Sequence, residues 1–419
     1  MNIFICHVPF HYYLFKSIYT HLADSFFAIP PMYDKECIAG LGGGMSAEGI
    51  YGYVKTFLED RHVKLIDYGA PNTTNFVKFL EDNARSVVVV GAFYGMEEMR
   101  GVRIVRMMYS MGLNAIPMRY KNYTDKYREF FEYYFSDLIL TYGVCYADHL
   151  NRHGLNAIAV GNPLFDGWFN GKIDNTCIDA IERRICKSKK NILYLPTHNI
   201  SSSIDRYYDS IRKLASKYNV IVKLHHATFC GESNRVCKMM ADPNIVTLAD
   251  NFDPLVLYKM ADVVLADGVS GASFDAILAG KPVLSIDVSL DKYEVIKVDK
   301  DELFIPCVTS PGDLEASVEN IIGVSNRISN RLLEHLLFIR DGKAGERAAK
   351  AIIENDQKPP LSQIEKFDRG IKNSPDFATK EEIEKKRDQY LSKTKPELHG
   401  KLRGVKKRVF AIFNNQIKR

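Results

Sequence analysis

Three stretches of the chain place side chains able to handle a phosphate or a proton just past an apolar run. The first is ADVVLADGVSGASFDAILAGKPVLSID (261–287). A strand-like run ends at Asp267, a turn of small residues follows, and a helical pattern runs from about Ser273 to Gly280. Pro282 then opens another apolar run. Small residues at a strand-to-helix turn let backbone N–H groups approach a ligand closely, and the helix adds its positive end. Ser270 and Ser273 supply hydroxyl donors. With Asp267, Gly271 and Asp275 they make a candidate phosphate cradle that has no Walker lysine. Taken alone, the pattern also describes an ordinary serine-capped turn.

The second stretch is VKLHHA (222–227) and the third is LPTHN (195–199). His225 can bind a diphosphate as a donor or serve as an acid. Thr197 and His198 bring a hydroxyl and an imidazole to the neighbouring position. Three polar strand ends in one half of the chain point to one shared site. In the first half, CHVPFH (6–11) follows the opening apolar run, so His7 or His11 is the candidate base for an acceptor hydroxyl. A half-buried histidine at the start of a helix is the plainer reading of either. GLGGGMSAEG (40–49) lacks both glycine-rich phosphate-loop spacings and reads as a loop beside the cleft. In MRYKNYTDKYREFFEYYF (118–135), Arg119 and Lys121 are candidate contacts for an anionic acceptor, and the remainder reads as a solvated helix. GxSxG, HExxH, a protease-like Cys/His pair and a metal-clamping DxD are all missing from the sequence.

The elements that must carry these residues are legible as alternating patterns. Apolar, β-branched runs recur at 3–6, 86–91, 138–143, 191–196, 220–225, 262–267 and 282–287, with amphipathic stretches such as 204–217 and 252–261 between them. Strand, helix, strand at this spacing means parallel sheets covered on both faces, with ligands beyond the carboxyl ends of the strands. The fold class is therefore α/β, with two Rossmann-like domains facing an interdomain cleft. Their expected ranges are 1–165 for the acceptor domain and 170–355 for the donor domain. A charged helical extension covers 356–419. Length and balance agree, with 419 residues of which 46% are hydrophobic and 26% charged.

The net charge of +5 is uneven. Residues 399–419 hold seven basic residues and no acid, which leaves the body near neutral and argues against a nucleic-acid partner. Leu402, Val405, Val409, Ile412 and Phe413 recur there at helical spacing among Lys401, Arg403, Lys406, Lys407 and Arg408. That is the pattern of an interfacial helix on an anionic membrane. The eight cysteines form no CxxC pair and read as buried free thiols in a reducing compartment. The N-terminal apolar stretch is broken by His7, His11 and Lys16 and is neither a signal peptide nor a span. The expected location is cytoplasmic, peripheral on the inner face of the cell membrane.

Five ordered matches resemble the CDP-glycerol glycerophosphotransferase family of teichoic acid synthesis, over about 135–350. The family's aDvliTDYSSvxFDfxxxxKPvi is similar to 261–284, with Asp267, Ser270, Phe274, Asp275, Lys281 and Pro282 on it. LYLPTH (193–198) resembles LyaPTw, VKLHHA resembles lklHP with His225 on the histidine, GNPLFD (161–166) resembles GxPRxD, and DGKAGERAA (341–349) resembles DGxAseRi. The chain departs at Gly268, Val269 and His198, and the family's WHGxxxK has no counterpart. The resemblance implies the two-Rossmann GT-B architecture and a cytidine nucleotide bound by His225 and the 267–275 turn. It also implies transfer of an alditol phosphate, such as glycerol phosphate, from a CDP-activated donor to a glycan or lipid-linked hydroxyl, with release of CMP. No prosthetic group is expected, and dependence on a divalent metal is left open. The alternatives are a GT-B glycosyltransferase using a CMP-sugar, sialyl- or Kdo-transferase-like, and a nucleotide-sugar epimerase of similar fold.

Overall fold

The computed structural model describes residues 1–31, 44–66, 68, 73–91, 93, 95–96, 99–109, 132–152, 154–175, 178–268, 270–288, 303–324, 327–328, 337, 339–362 and 365–366. Arg119, Lys121, residues 40–43 of the glycine-rich stretch and the basic segment 399–419 lie outside these residues; the end of that stretch is not loop but the start of helix Ala47–Glu59, capped by Ser46. Met1–Gln363 form one compact unit and Ile364–Arg419 another.

Six strands build the first sheet: β1 (Asn2–Ile5), β2 (Ser25–Ala28), β3 (Ser86–Val89), β4 (Arg103–Met107), β5 (Leu138–Thr141) and β6 (Ala157–Ala159). All pairings are parallel, in the order β2-β1-β3-β4-β5-β6. A second parallel sheet uses β7 (Asn191–Leu195), β8 (Asn219–Lys223), β9 (Ile245–Leu248), β10 (Val263–Asp267) and β11 (Val283–Ile286). A short antiparallel pair, β12 (Leu303–Phe304) with β14 (Arg327–Ile328), stands apart from it. Between them in sequence, β13 (Cys307–Val308) completes the second sheet in the order β13-β11-β10-β7-β8-β9.

The strands form where continuous apolar runs are buried on both faces. In β1, Phe4 packs with Phe15 and Phe27 on one face, while Ile3 and Ile5 join Phe76 and Leu80 on the other. In β7, Ile192 and Tyr194 face one core and Leu193 and Leu195 the other. The apolar runs read from sequence fall on seven of these strands. β2, β4, β6, β9 and β13 were not among them; β6 and β13 are only three and two residues long, and Arg103 and Arg106 break the apolar pattern of β4. Between the two sheets, the charged stretch 178–190 forms a helix only over Ile178–Glu182. Of the described cysteines, Cys6 and Cys230 are buried free thiols as expected, but Cys186, Cys237 and Cys307 are exposed.

The expected donor-domain range of 170–355 needs correction at its end. Helix Ala344–Asn355 leaves the second sheet and packs along helix Pro9–His21 of the first. The anchor is Asp166, from the GNPLFD element. Its carboxylate accepts from the backbone N–H groups of Ala344 (2.8 Å) and Gly345 (2.7 Å) and from the Ser17 hydroxyl (2.6 Å). One buried acid thus satisfies two orphan donors of a helix start and a side chain of the partner helix. Gly345 lets the helices meet, because a Cβ there would lie 2.2 Å from Ser17 Oγ and 2.6 Å from its carbonyl carbon. The motif that resembles a family signature is, in this fold, a structural joint.

Two substitutions test this packing with opposite signs. Asp166→Ala strands two buried N–H groups and a hydroxyl and should lower stability by about 2–3 kcal/mol in urea unfolding. Gly52→Ala, in the exposed interior of helix Ala47–Glu59 with nothing within 4 Å of the added Cβ, should raise it by about 0.5–1 kcal/mol. Equal stability of Asp166→Ala and the parent would show that the joint is not where the halves are held.

Candidate functional site

A cleft of about 530 Å³ opens where the carboxyl ends of the two sheets face each other. Its lining follows from topology. The chain runs from β1 to β2 on one side and returns to β3 on the other, and it does the same with β7, β8 and β10. Loops after the strands that flank such a switch point diverge and leave a crevice. Into it come His7 and Val8 after β1, Val90 and Gly91 after β3, Leu195–His198 after β7 and Ser270–Ala272 after β10.

On the second-sheet side three imidazoles form a stack. The His198 and His225 rings lie 4.3 Å apart at 19°, and those of His225 and His226 4.1 Å apart at 34°. His225 is the N-cap of helix His226–Gly231, with Nδ1 accepting from the Ala227 N–H at 3.1 Å. A neutral His225 therefore carries its proton on Nε2, which makes that atom a donor. Asn199 next to His198 adopts a left-handed backbone (φ 64°), tolerable for asparagine. It is clamped by Glu232 on its N–H (2.7 Å) and Arg235 on its carbonyl (2.8 Å). Burial holds the His198, His225 and His226 imidazoles below their usual value, His226 at about 3. Lys223 adds to the effect on the last two.

Across the cleft the two first-sheet histidines differ. His11 is 6% exposed. Its Nδ1 accepts from the His7 backbone N–H at 3.4 Å, and its ring bonds the Ile5 backbone. Burial, then His7 and His226, holds it well below the usual histidine value. His7 lines the cleft with both ring nitrogens buried and unpaired among the described residues. Burial lowers it to about 4. An imidazole that is neutral at pH 7 and has both nitrogens available is a competent proton acceptor, whereas His11 has its Nδ1 taken up by a backbone N–H.

The cleft brings together His7, His11, Thr197, His198, His225, Ser270, Gly271 and Asp275 of the sequence-derived set. It does not include Asp267 or Ser273. Asp267 has no exposed surface, and its carboxylate accepts from the Thr197 N–H (2.7 Å), the Ser203 N–H (3.2 Å) and the Ser203 hydroxyl. Burial pushes it up to about 6 against the opposing pull of those bonds. It shapes the site from behind. Ser273 is 4% exposed, inside helix Ala272–Leu278. Ser270 lines the cleft, and its hydroxyl caps the Ala272 N–H at 3.2 Å. Sequence reading missed Arg106, Tyr109, Lys223, Asp250 and Tyr258, all in the lining. His226, the second histidine of VKLHHA, lines it too, and the strand-end rule held the signal for Lys223. Arg106 sits in the strand that went unseen. Among the described residues no group of three His, Cys, Asp or Glu is arranged to hold a metal, and no helix is long and apolar enough to cross a membrane.

Asp275 gives this site a pH signature. Half-buried beside Tyr109, Tyr142 and Tyr258, it is pushed up to about 7 by burial. A carboxyl raised above its unfolded value of 3.8 contributes stability that is full below that value and is lost as pH rises through about 7. Asp275→Asn should therefore stabilise the protein more at pH 8 than at pH 5, read as the shift in urea midpoint. An equal shift at both pH values would contradict the burial of this charge.

No protein-family model matches the chain, and no curated protein matches it in sequence. Solved structures do match in fold. A histidine-to-asparagine variant of the wall teichoic acid polymerase TagF aligns with TM-score 0.57 at 14% identity, over 85% of this chain and 89% of that one. The same variant soaked with CDPG aligns with TM-score 0.53 at 15% identity, over 85% and 88%. The UDP-GlcNAc 2-epimerase of Neisseria meningitidis bound to UDP-GlcNAc aligns with TM-score 0.51 at 16% identity, over 84% and 98%. The chain has the GT-B fold, two parallel six-stranded sheets with helices, and shares it with TagF over most of its length.

Proposed function

We propose that the protein is a GT-B transferase that moves an alditol phosphate, such as glycerol phosphate, from a CDP-activated donor to a hydroxyl acceptor and releases CMP. The observation that carries the reading is the pairing across the cleft. The unpaired, neutral imidazole of His7 stands at the switch point of one sheet, and a donor-bearing cluster of Thr197, His198, His225 and Ser270 stands at that of the other. A phosphoryl transfer needs positioning and charge neutralisation more than covalent chemistry. In this reading His7 takes the proton from the acceptor hydroxyl. The oxygen attacks the phosphorus bonded to the alditol, the bond to the bridging diphosphate oxygen breaks, and CMP departs. The Nε2–H of His225 and the Ser270 hydroxyl donate to the diphosphate. The cytidine assignment rests on the sequence resemblance, supported by the shared fold of TagF soaked with CDPG.

The acceptor is proposed to be lipid-linked or a glycan, brought to the cleft at the inner face of the membrane. The basic, amphipathic segment 399–419 would supply the attachment, with roughly 1 kcal/mol from each basic residue near anionic lipid. Co-sedimentation with phosphatidylglycerol vesicles should pellet the full chain in low salt. A chain ending at Pro396 should stay in the supernatant. Equal pelleting of both would remove the segment from the account.

The direct test of the reaction is a panel of CDP-alditols, CMP-sugars and UDP-sugars, with products identified by mass spectrometry. Transfer from CDP-glycerol or a related CDP-alditol is the expected result. Transfer from a CMP-sugar, with attack at carbon, would replace this reading, and so would epimerisation of a UDP-sugar. With the active donor, His7→Ala should lower turnover by about 10²–10⁴-fold while donor binding persists. Because burial holds His7 near 4, kcat/KM should stay level between pH 7 and about 5, where an ordinary histidine base would already be protonated. An acid limb near pH 6.5, or wild-type turnover in His7→Ala, would exclude His7 as the base.

A further inference from the structure

Lys223 is the last residue of β8, and its side chain lines the cleft beside His225 and His226. No described oxygen lies within hydrogen-bonding distance of its ammonium. Two acids face it from the loop after β9, Asp250 and Asp253. Asp253 is already matched, by Lys16 at 2.9 Å and by the Leu255 N–H that it caps at 2.9 Å. Asp250 is not. It is 2% exposed and lines the cleft; Oδ1 accepts from the Tyr53 hydroxyl, and Oδ2 is buried with no partner among the described residues. Tyr53 belongs to helix Ala47–Glu59, which precedes β3 in the chain, and its ring packs on Phe229 at 5.5 Å. That helix is seated by a close approach. The Met45 N–H donates to the Cys230 carbonyl at 2.7 Å, and a Cβ on Gly44 would lie 2.4 Å from the same oxygen.

We propose that Lys223 is the cation that receives the phosphate of the substrate, and that Tyr53 and Asp250 are the residues that position it. This rests on the reading above only in that the cleft takes a phosphorylated ligand. Desolvation alone drives a lysine toward its neutral form, and a nearby carboxylate opposes that. Asp250 opposes that desolvation without occupying the ammonium, because the acid is tied back by Tyr53. The ammonium remains open to an incoming oxyanion next to the Nε2–H of His225. Lys16 plays no such part, since Asp253 holds it in a direct ion pair. The arrangement makes anion binding in one half of the cleft depend on a tyrosine from the other half.

The test is calorimetric titration of the full-length protein with CDP and, separately, with inorganic pyrophosphate. Loss of a charge-assisted contact should weaken both by about 10- to 100-fold in Lys223→Gln, with Lys223→Arg recovering part of the loss. Tyr53→Phe and Asp250→Asn should each weaken pyrophosphate binding in the parent. In the Lys223→Gln background they should add little, since groups acting through one residue are non-additive. Thermal melting of each variant checks that it is folded. Parent-like affinity in Lys223→Gln would overturn the proposal. So would losses from Tyr53→Phe that multiply with those of Lys223→Gln, because a purely structural role adds independently. If the parent binds pyrophosphate but transfers no alditol phosphate, only the reaction reading falls. If it binds neither ligand, both fall.

Discussion

The carboxylate of Asp267 is the fixed point on which the second-sheet side of the cleft depends. It ends β10 and reaches across the switch point to hold the backbone of Thr197 and the backbone and hydroxyl of Ser203. The two strand ends that must diverge to leave a crevice are thereby tied at their base. Above that tie sit Thr197 and His198 on one loop and Ser270 and Gly271 on the other. The cost is a buried acid whose ionisation is pushed up to about 6. Three donors offset that cost, and the charge stays in place at neutral pH. Without it, the loop would have two backbone N–H groups and a hydroxyl to satisfy elsewhere.

Charge in the cleft is arranged by desolvation. Five histidines from both sheets lie in its wall, and burial keeps all five neutral at pH 7. Neutral imidazoles can donate or accept, and which they do is fixed by their second nitrogen. His225 spends Nδ1 on a helix start, which leaves a donor. His11 spends Nδ1 on a backbone N–H. His7 spends neither. The difference between a structural histidine and a chemically available one, His11 and His7, is a difference in hydrogen bonding that residue type does not reveal.

Much of the architecture was legible because a parallel sheet writes itself as continuous apolar runs. Seven runs fell on strands, and the rule that ligands sit past strand carboxyl ends located His7, His198, His225 and Ser270 in one cleft. What stayed hidden has physical reasons. β6 and β13 are three and two residues long, too short for a period to show. β4 carries Arg103 and Arg106 inside an apolar run. Arg106 is 5% exposed, with its guanidinium 4.6 Å from the Tyr133 ring, and a buried arginine looks like surface in a sequence. Asp267 and Ser273 belong to the motif and were read as ligands, yet they turn inward. Spacing along a strand-turn-helix does not say which polar group faces the ligand and which supports the turn. The Asp166 joint was likewise invisible, since its partners lie 178 and 179 residues away.

The space between His7 and the His198–His225–Ser270 wall is where the two halves of the cleft meet. The most direct measurement is a crystal structure of the protein with CDP. The account predicts the phosphates beyond the carboxyl ends of β7 and β10, with oxygens within hydrogen-bond reach of His225 Nε2 or Ser270 and with His7 facing them across the cleft. A nucleotide bound beyond the first sheet instead, or phosphates that touch none of these residues, would contradict it.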